Sequence, residues 1–518
     1  MKKLVAILIL ALVIRSAFFG TYFTGDAIDT AGPARNFAEI GRAAVYSTSE
    51  TSNGEMTYID VGLFFNFTHP PMRTLLYSLW ASIFGFNAFM IFLPIIFGLL
   101  SIVFIYLIGR HLYSEKVGVI AALLAALLRY HFYASSIAFG DNFLMLTTAA
   151  SVFFFLKYLR GKKNIYLSLF VIMTVLGFLT KLSALAILPA LLVIAYLHRD
   201  RVKFSKSFLF IVSAGVLSLL AIYFSFPINE ALTGVSNDEF NFFDSYVKSF
   251  MTARTGYQET GYEKIFYMSS FAWQLTPFFA ALMLIALARL KRDKPFYILA
   301  CWLGITFLIA FLSSGQDFQR LMIIGIAPAI ILSAKLVSEL WRNDMQYIIF
   351  GATVALLLAY LTGLNDMLPY YSPTSVAFFF VLATVFIFVP KNRQLLIGAA
   401  TGLSIFFLFG TSFLITMNSS ATSQLIDAVR ERDYPYTELW SDRDISLYLA
   451  PSGQASFLRR PELNEKFLRE RQVKYLAFYS MYEEEKIINI SKLCEDEPFF
   501  AIVNSRKVGI TCKISQTS

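Results

Sequence analysis

The sequence predicts a polytopic α-helical membrane protein of about 13 transmembrane helices, with a small soluble α/β domain at its C-terminal end. Three observations lead there. Apolar runs of about 18–22 residues recur along the chain, long enough to cross a hydrocarbon core about 30 Å thick. Charged residues make up 15% of the 518, against about 25% in typical soluble domains, and the mean hydropathy is +0.60. After residue 416 the long apolar runs stop. A β-barrel is excluded, because its strands would alternate over short segments instead of running unbroken.

The first element is Leu4 to Phe19 behind Met1-Lys2-Lys3. It has the look of a signal peptide. No small-residue cleavage site followed by a soluble domain comes after it, so it is expected to remain as a first helix. Spans are expected at 3–20, 88–109, 117–139, 143–159, 164–180, 182–197, 207–226, 269–288, 296–312, 320–340, 346–364, 374–389 and 395–416. The basic connectors then decide orientation. Arg110-His111 with Lys116, Arg160-Gly161-Lys162-Lys163, His198 to Lys203, Arg289 to Lys294, Trp341-Arg342 and Lys391-Asn392-Arg393 all fall on the side of Met1-Lys2-Lys3. Loops so enriched stay in the cytoplasm. The net charge of +9 is therefore mostly a topology signal, and no basic domain or stripe suggests a nucleic-acid partner.

The N-terminus is thus expected in the cytoplasm and the C-terminal domain outside. The transmembrane region is expected over 1–416 and the soluble α/β domain over 417–518. In that domain Glu438 to Ser441 and Val473 to Tyr479 read as strands, Pro461 to Arg471 as a helix, and Phe499 to Lys513 as a hairpin around Arg506-Lys507. Of three cysteines, Cys494 and Cys512 read equally as a bonded pair or as two free thiols. Sequons begin at Asn66, Asn418 and Asn489, all on the outer side. Such short matches arise by chance and only agree with the topology.

Two outer loops are large, 20–87 and 227–268. In the first, Asp26 in Phe23-Thr24-Gly25-Asp26-Ala27 follows the opening helix. Ala31 to Ala44 then reads as an amphipathic helix lying on the membrane plane. Thr68-His69-Pro70-Pro71 stops any helix, and the run Met72 to Phe86 is short for a span, so a second interfacial helix is expected. Two interfacial helices with Asp26 and His69 at their starts would then form the floor of a cleft. Equally, Asp26 is readable as a helix cap and His69 as a solvated loop residue.

The ordered set Asp26, Ala34-Arg35, His69-Pro70-Pro71, Asp141 and Leu179-Thr180-Lys181 resembles the GT-C class of integral-membrane glycosyltransferases. The branch it resembles is that of protein O-mannosyltransferases and lipid A aminoarabinose transferases. The likeness covers residues 1–200 and extends loosely to Gln319-Arg320-Leu321 and Pro328. There are departures. Ala27 stands where many relatives have glutamate, and His69 where the aminoarabinose branch has lysine. The adjacent tryptophans of oligosaccharyltransferases are absent.

The resemblance implies transfer of a monosaccharide from a polyprenyl-phosphate donor (dolichyl or undecaprenyl type) to a glycan, lipid or protein acceptor at the outer face, with inversion. Asp26 would be the catalytic base, within hydrogen-bond reach of the acceptor. His69, Lys181, Arg254, Lys264 and Arg320 are the outer-side candidates for binding the lipid phosphate, since charge-assisted bonds to phosphate are strong. Asp141 would shape the loop or bind acceptor. Blander readings stand beside these. Asp141 caps a helix, Lys181 snorkels, and Arg254 and Lys264 are solvated loop residues. No cofactor is required. Asp26 with Asp141 is the one pair that would hold a divalent metal, and the four histidines are scattered. Arg15, Arg129 and His131 lie within spans and are expected to face a polar network inside the protein.

Two rivals remain. A transporter or lipid flippase would show paired halves with broken helices near the midplane. Here polar residues gather at one interface and a soluble domain follows. A non-catalytic relative acting as an assembly subunit would not need Asp26, Asp141 and Lys181 together.

Overall fold

The structure is a computed structural model, and it describes residues 2–17, 31–32, 34–35, 38, 45–47, 57–59, 71–85, 90, 92–136, 140–200, 209, 212–213, 215–217, 220, 277–312, 322–340, 421–434, 439–441, 456–457, 468, 473–479, 484–503 and 506–515. The chain divides into two compact units. One comprises Met1–Ala17, Phe67–Arg73 and Pro94–Thr411, the other Phe18–Asn66, Thr74–Leu93 and Ser412–Ser518.

The described helices up to residue 340 are α1 (Lys2–Ala17), α2 (Pro71–Phe84), α3 (Phe92–Leu112), α4 (Glu115–Leu127), α5 (Arg129–Ser136), α6 (Gly140–Gly161), α7 (Asn164–Phe178), α8 (Ile187–Leu197), α9 (Pro277–Arg289), α10 (Lys294–Leu312) and α11 (Ile326–Leu340). Three are long and apolar enough to cross a membrane, at Phe92–Leu112, Asp141–Gly161 and Met322–Glu339. Their ends follow local chemistry. Ser114 accepts from the Val117 amide and caps α4. The Asp293 carboxylate accepts from the Phe296 amide and caps α10. The α2 helix stops at Gly85, whose φ of 76° is the left-handed conformation glycine takes without strain.

Among the described residues, helices overlap the expected spans, with three differences. The span at 117–139 is broken at Leu128, whose backbone is extended (φ −69°, ψ 121°). The spans at 182–197 and 320–340 open with 3-10 turns, Leu182–Ala186 and Met322–Gly325. Residues 207–226 are described at seven positions, all helical. The spans expected at 346–364, 374–389 and 395–416 lie outside the described residues, as does the loop at 227–268.

The core of this unit is built on small residues. Val117, Gly118, Ala121, Ala122, Ala125 and Ala126 form the buried stripe of α4, which packs on α1 and α11. Small side chains let helix backbones approach closely where lipid gives no hydrophobic drive to associate. A Cβ on Gly118 would stand 2.7 Å from the Tyr106 carbonyl oxygen on α3. Gly118→Val is therefore expected to push α4 off α3 and destabilise by about 1–3 kcal/mol, read as a lower melting temperature in detergent. Outward faces carry exposed Ile9, Val13, Ile172 and Leu192, as suits helices bathed in lipid.

In the second unit, residues 31, 32, 34, 35 and 38 are helical, with Ala31 and Ala34 buried. Strands β1 (Val45–Ser47) and β2 (Thr57–Ile59) pair antiparallel, Tyr46 opposite Tyr58. No strand pattern was legible at 45–59. The α2 helix buries Tyr77 and Ala81 and exposes Leu79 and Ile83.

Beyond residue 420 lie helix α12 (421–431), β3 (Leu439–Ser441), β4 (Ser456–Phe457), β5 (Tyr475–Tyr479), α13 (Glu484–Ser491), β6 (Phe499–Val503) and β7 (Arg506–Lys513). The sheet order is β4-β3-β5-β7-β6. Strand β3 runs parallel to β4 and β5, and β7 antiparallel to β5 and β6. Alternation along β5 builds two cores. Ala477 joins Ala421, Leu425, Ile426 and Val429 of α12, while Leu476 and Phe478 join Ile487 and Ile490 of α13. Val503 pairs with Arg506, so Arg506-Lys507, expected at the turn, lie within β7. Of the helix expected over 461–471, only Leu468 is described, and it is helical.

Cys494 and Cys512 are disulfide-bonded, and Cys301 of α10 is free. Beside the bond, Asp496 accepts from the Tyr434 hydroxyl at 2.5 Å, Arg432 at 3.0 Å and the Lys513 amide at 2.8 Å. Burial, then the bond to Asp496, push the Tyr434 hydroxyl up to about 12. The folded state thus holds a proton that the unfolded chain releases near pH 10. Stability from Tyr434 is complete below about pH 10 and falls as pH rises toward about 12. Tyr434→Phe is expected to flatten that decline in a pH series of melting curves.

Candidate functional site

The first unit brings two of the sequence signatures together at one end of a helical hairpin. Helices α6 and α7 run antiparallel, joined through Gly161-Lys162-Lys163. Their register is set by a series of contacts. Phe155 stacks on Phe170 with ring centroids 4.8 Å apart, and the Thr174 hydroxyl donates to Ser151 at 3.2 Å. Further on, the bare Gly177 faces Thr147 so closely that a Cβ would lie 3.1 Å from its hydroxyl oxygen. One step further, the same register brings the first turn of α6 opposite the residues that follow α7. There Lys181 Nζ meets Asp141 Oδ1 at 2.9 Å, with side chains 16% and 10% exposed.

Each partner is held by its own backbone. Asp141 lies in the first turn of α6, where unpaired amides and the helix dipole favour a negative charge. After α7, the Thr180 and Lys181 amides both donate to the Gly177 carbonyl at 3.1 Å, and the Lys181 carbonyl accepts from Ala184 at 3.0 Å. The Thr180 hydroxyl donates to Leu176 at 2.7 Å. The lysine therefore leaves from a closed turn and not from a loose loop.

The proline signature meets the same turn. The Met72 amide donates to the Leu179 carbonyl at 2.9 Å. Pro71 opens α2, a position where its missing N–H costs nothing, and Leu179 satisfies one of the orphan amides of that first turn. Leu179-Thr180-Lys181 is thus tied to α2 on one side and to Asp141 on the other.

Chemically, the pair is a nearly buried cation with its counter-charge. An ammonium has three donors, and Asp141 takes one. Lys181 can therefore offer the remaining donors to an anion at this end of the hairpin. The Arg160 to Lys163 segment occupies the opposite end. A helix of 22 residues separates the two by about 33 Å, close to a bilayer core.

Among the sequence-derived site residues, the structure joins Asp141 to Lys181. Asp26, His69, Arg254, Lys264 and Arg320 lie outside the described residues. Among the described residues, no three His, Cys, Asp or Glu side chains gather as a metal site. Sequence reading passed over Arg73, which is buried at 7% exposure one residue beyond Met72. Its signal was a lone cation within an otherwise apolar run.

A model of the family described as dolichyl-phosphate-mannose-protein mannosyltransferase matches residues 68–225, a stretch holding Pro71, Asp141 and Lys181. No curated protein sequence matches. The fold is similar to that of ArnT from Cupriavidus metallidurans bound to undecaprenyl phosphate, with TM-score 0.62 at 15% identity over 98% of this chain and 97% of that one. The apo form of the same protein gives 0.63 at 14% identity, over the same shares of each chain. An oligosaccharyltransferase from Archaeoglobus fulgidus in the apo form gives 0.50 at 13% identity, over 93% of this chain and 70% of that one. The chain has the GT-C fold that its sequence signatures suggested.

Proposed function

We propose that this protein is a GT-C glycosyltransferase that takes a monosaccharide from a polyprenyl-phosphate donor and passes it to a glycan, lipid or protein acceptor. The observation that carries the reading is the junction of Met72 with Leu179 and of Lys181 with Asp141. It supports the reading by setting the Lys181 ammonium and the proline-started helix near one end of the α6–α7 hairpin. A lipid-linked phosphate arrives at that depth, with its tail in the bilayer.

The chemistry needs few groups. A lone pair on the acceptor oxygen or nitrogen forms the bond to the anomeric carbon. The bond from that carbon to the phosphate oxygen breaks, and its electrons stay on the phosphate. In this reading the acceptor proton passes to Asp26, a base that would have to come within hydrogen-bond reach of the acceptor. Attack from the face opposite the phosphate inverts the centre. The leaving phosphate is already a stable anion and needs cations, not an acid. Lys181 supplies one, and His69, Arg254, Lys264 and Arg320 are further candidates. Fixed charge at the developing phosphate lowers the barrier without reorganisation during the reaction. Asp141 then acts mainly on Lys181, holding the ammonium in place. The outer face is the side on which Asp26 and the C-terminal domain would sit.

The test is incubation of purified protein in detergent or nanodiscs with labelled polyprenyl-phosphate mannose and a panel of acceptors. Labelled product is the expected result. Transfer from no lipid-linked sugar, together with measurable lipid translocation in liposomes, would favour the flippase. Neither activity would favour the assembly subunit.

A further inference from the structure

Inside the first unit lies a polar cluster that the reaction as described does not use. Arg15, in the last turn of α1, is fully buried. Its Nε donates to Ser135 Oγ at 2.7 Å, and its Nη1 to the carbonyls of Ala11 at 3.1 Å and Ala126 at 3.4 Å. Its Nη2 stands 2.9 Å from His131 Nδ1. On the other side of the imidazole, Nε2 lies 2.8 Å from Ser101 Oγ, which donates to the Gly98 carbonyl at 2.7 Å. His131 and Ser101 are also fully buried.

The hydrogen-bond directions follow from one fact. A guanidinium can only donate, so His131 Nδ1 must accept. The imidazole is therefore neutral with its proton on Nε2, donated to Ser101. The chain of donors runs from Arg15 through His131 and Ser101 to the backbone of α3.

Position gives the cluster its purpose. The break at Leu128 interrupts the helical ladder between α4 and α5, and Ala126, on the α4 side, gives its carbonyl to Arg15 instead. Arg15 also holds Ser135, in the last turn of α5, shortly before Asp141. Helix α3 carries the link onward. A Cβ on Gly98 would sit 2.2 Å from Ser135 Cβ, so the two backbones are in close contact. The neighbouring Phe97 packs on Phe143 of α6, ring centroids 4.7 Å apart. Phe143 lies two residues past Asp141.

We propose that Arg15 is a positioning residue. It holds the α4–α5 break closed and, through Ser135, His131 and α3, sets the start of α6 where Asp141 faces Lys181. The activity arm of the test rests on the glycosyltransferase reading; the structural arm does not.

The experiment uses the full chain in nanodiscs, with Arg15→Met, Arg15→Lys, Ser101→Ala, His131→Gln and wild type. Amide hydrogen exchange is followed at residues 140–147, with α10 and α11 as the folding control. Arg15→Met is expected to speed exchange at 140–147 by about tenfold or more with the control unchanged, since local opening is governed by local contacts. Arg15→Lys, with fewer donors, and Ser101→Ala should give smaller increases of the same pattern, which keeps the test valid if Arg15→Met does not fold. His131→Gln is the rescue: its amide accepts from Arg15 and donates to Ser101, so exchange stays as in wild type.

With labelled polyprenyl-phosphate mannose, Arg15→Met should lower kcat about tenfold with donor KM within about threefold, because misplacement harms alignment more than docking. His131→Gln should leave the pH profile of kcat unchanged. Unaltered exchange at 140–147 in a folded Arg15→Met protein overturns the proposal. A shifted pH profile in His131→Gln also overturns it, by making His131 a titrating group. If exchange changes as expected while wild type transfers no sugar, the positioning role stands and the glycosyltransferase reading falls.

Discussion

Asp26→Asn is expected to lower sugar transfer by about 10²- to 10⁴-fold, the range a positioned general base contributes. Asparagine keeps the size and the hydrogen-bonding carbonyl of the side chain but cannot take a proton at neutral pH. Donor binding should therefore change little, so the loss should appear in kcat with KM for the polyprenyl-phosphate sugar nearly constant. Measuring both parameters separates this from a misfolded or lipid-blind protein. Transfer at wild-type rate in Asp26→Asn would falsify the assignment, and the acceptor would then have to lose its proton to another group.

The second large effect concerns the Asp141–Lys181 pair. Removing one partner of a nearly buried ion pair leaves an uncompensated charge, at a cost of about 3–5 kcal/mol. Their partial exposure, 16% and 10%, places the expectation at the lower end of that range. Lys181→Ala should lower the melting temperature and also transfer, because it takes away both the partner of Asp141 and a cation for the leaving phosphate. Asp141→Asn should be milder in both, since an amide still accepts from the ammonium. The combined variant Asp141→Asn with Lys181→Met should destabilise less than the two single changes added, with a coupling of about 0.5–3 kcal/mol. Strict additivity in melting temperature would show that the pair does not act as a unit. Transfer unaffected by Lys181→Ala would remove the lysine from the phosphate site.

The second effect rests on residues whose type was legible in sequence but whose partnership was not. Asp141 and Lys181 each stood out as a charge beside an apolar run, in the order the GT-C class shows. That they would bond to each other depends on the register of α6 against α7. Register is fixed by Phe155 on Phe170, Ser151 with Thr174, and Gly177 under Thr147, and such contacts leave no periodic trace in one chain read alone. The tie from Met72 to Leu179 is harder still to foresee. It joins backbone groups, and the side chains there announce only that a helix starts at Pro71.

Arg15 and His131 give a similar lesson. An ionisable residue within a span signals an interior polar partner, and that expectation holds for both. Their meeting, and the two serines that complete the cluster, follow from α1, α3 and α5 converging. The break at Leu128 was hidden for a different reason. Most helix breaks are marked by proline or glycine, whereas Ala126-Leu127-Leu128-Arg129 contains neither.

The class of this protein is legible in its separate segments. Apolar run length calls for membrane helices, and the apolar run within 473–479 specifies a strand. These are properties of single segments in water or lipid, so each segment declares them alone. Tertiary structure decided which charges meet, where a helix breaks, and that Cys494 bonds Cys512. Those outcomes are set by contacts between segments distant in the chain. The free energy of such a contact belongs to the pair, and neither member carries it by itself.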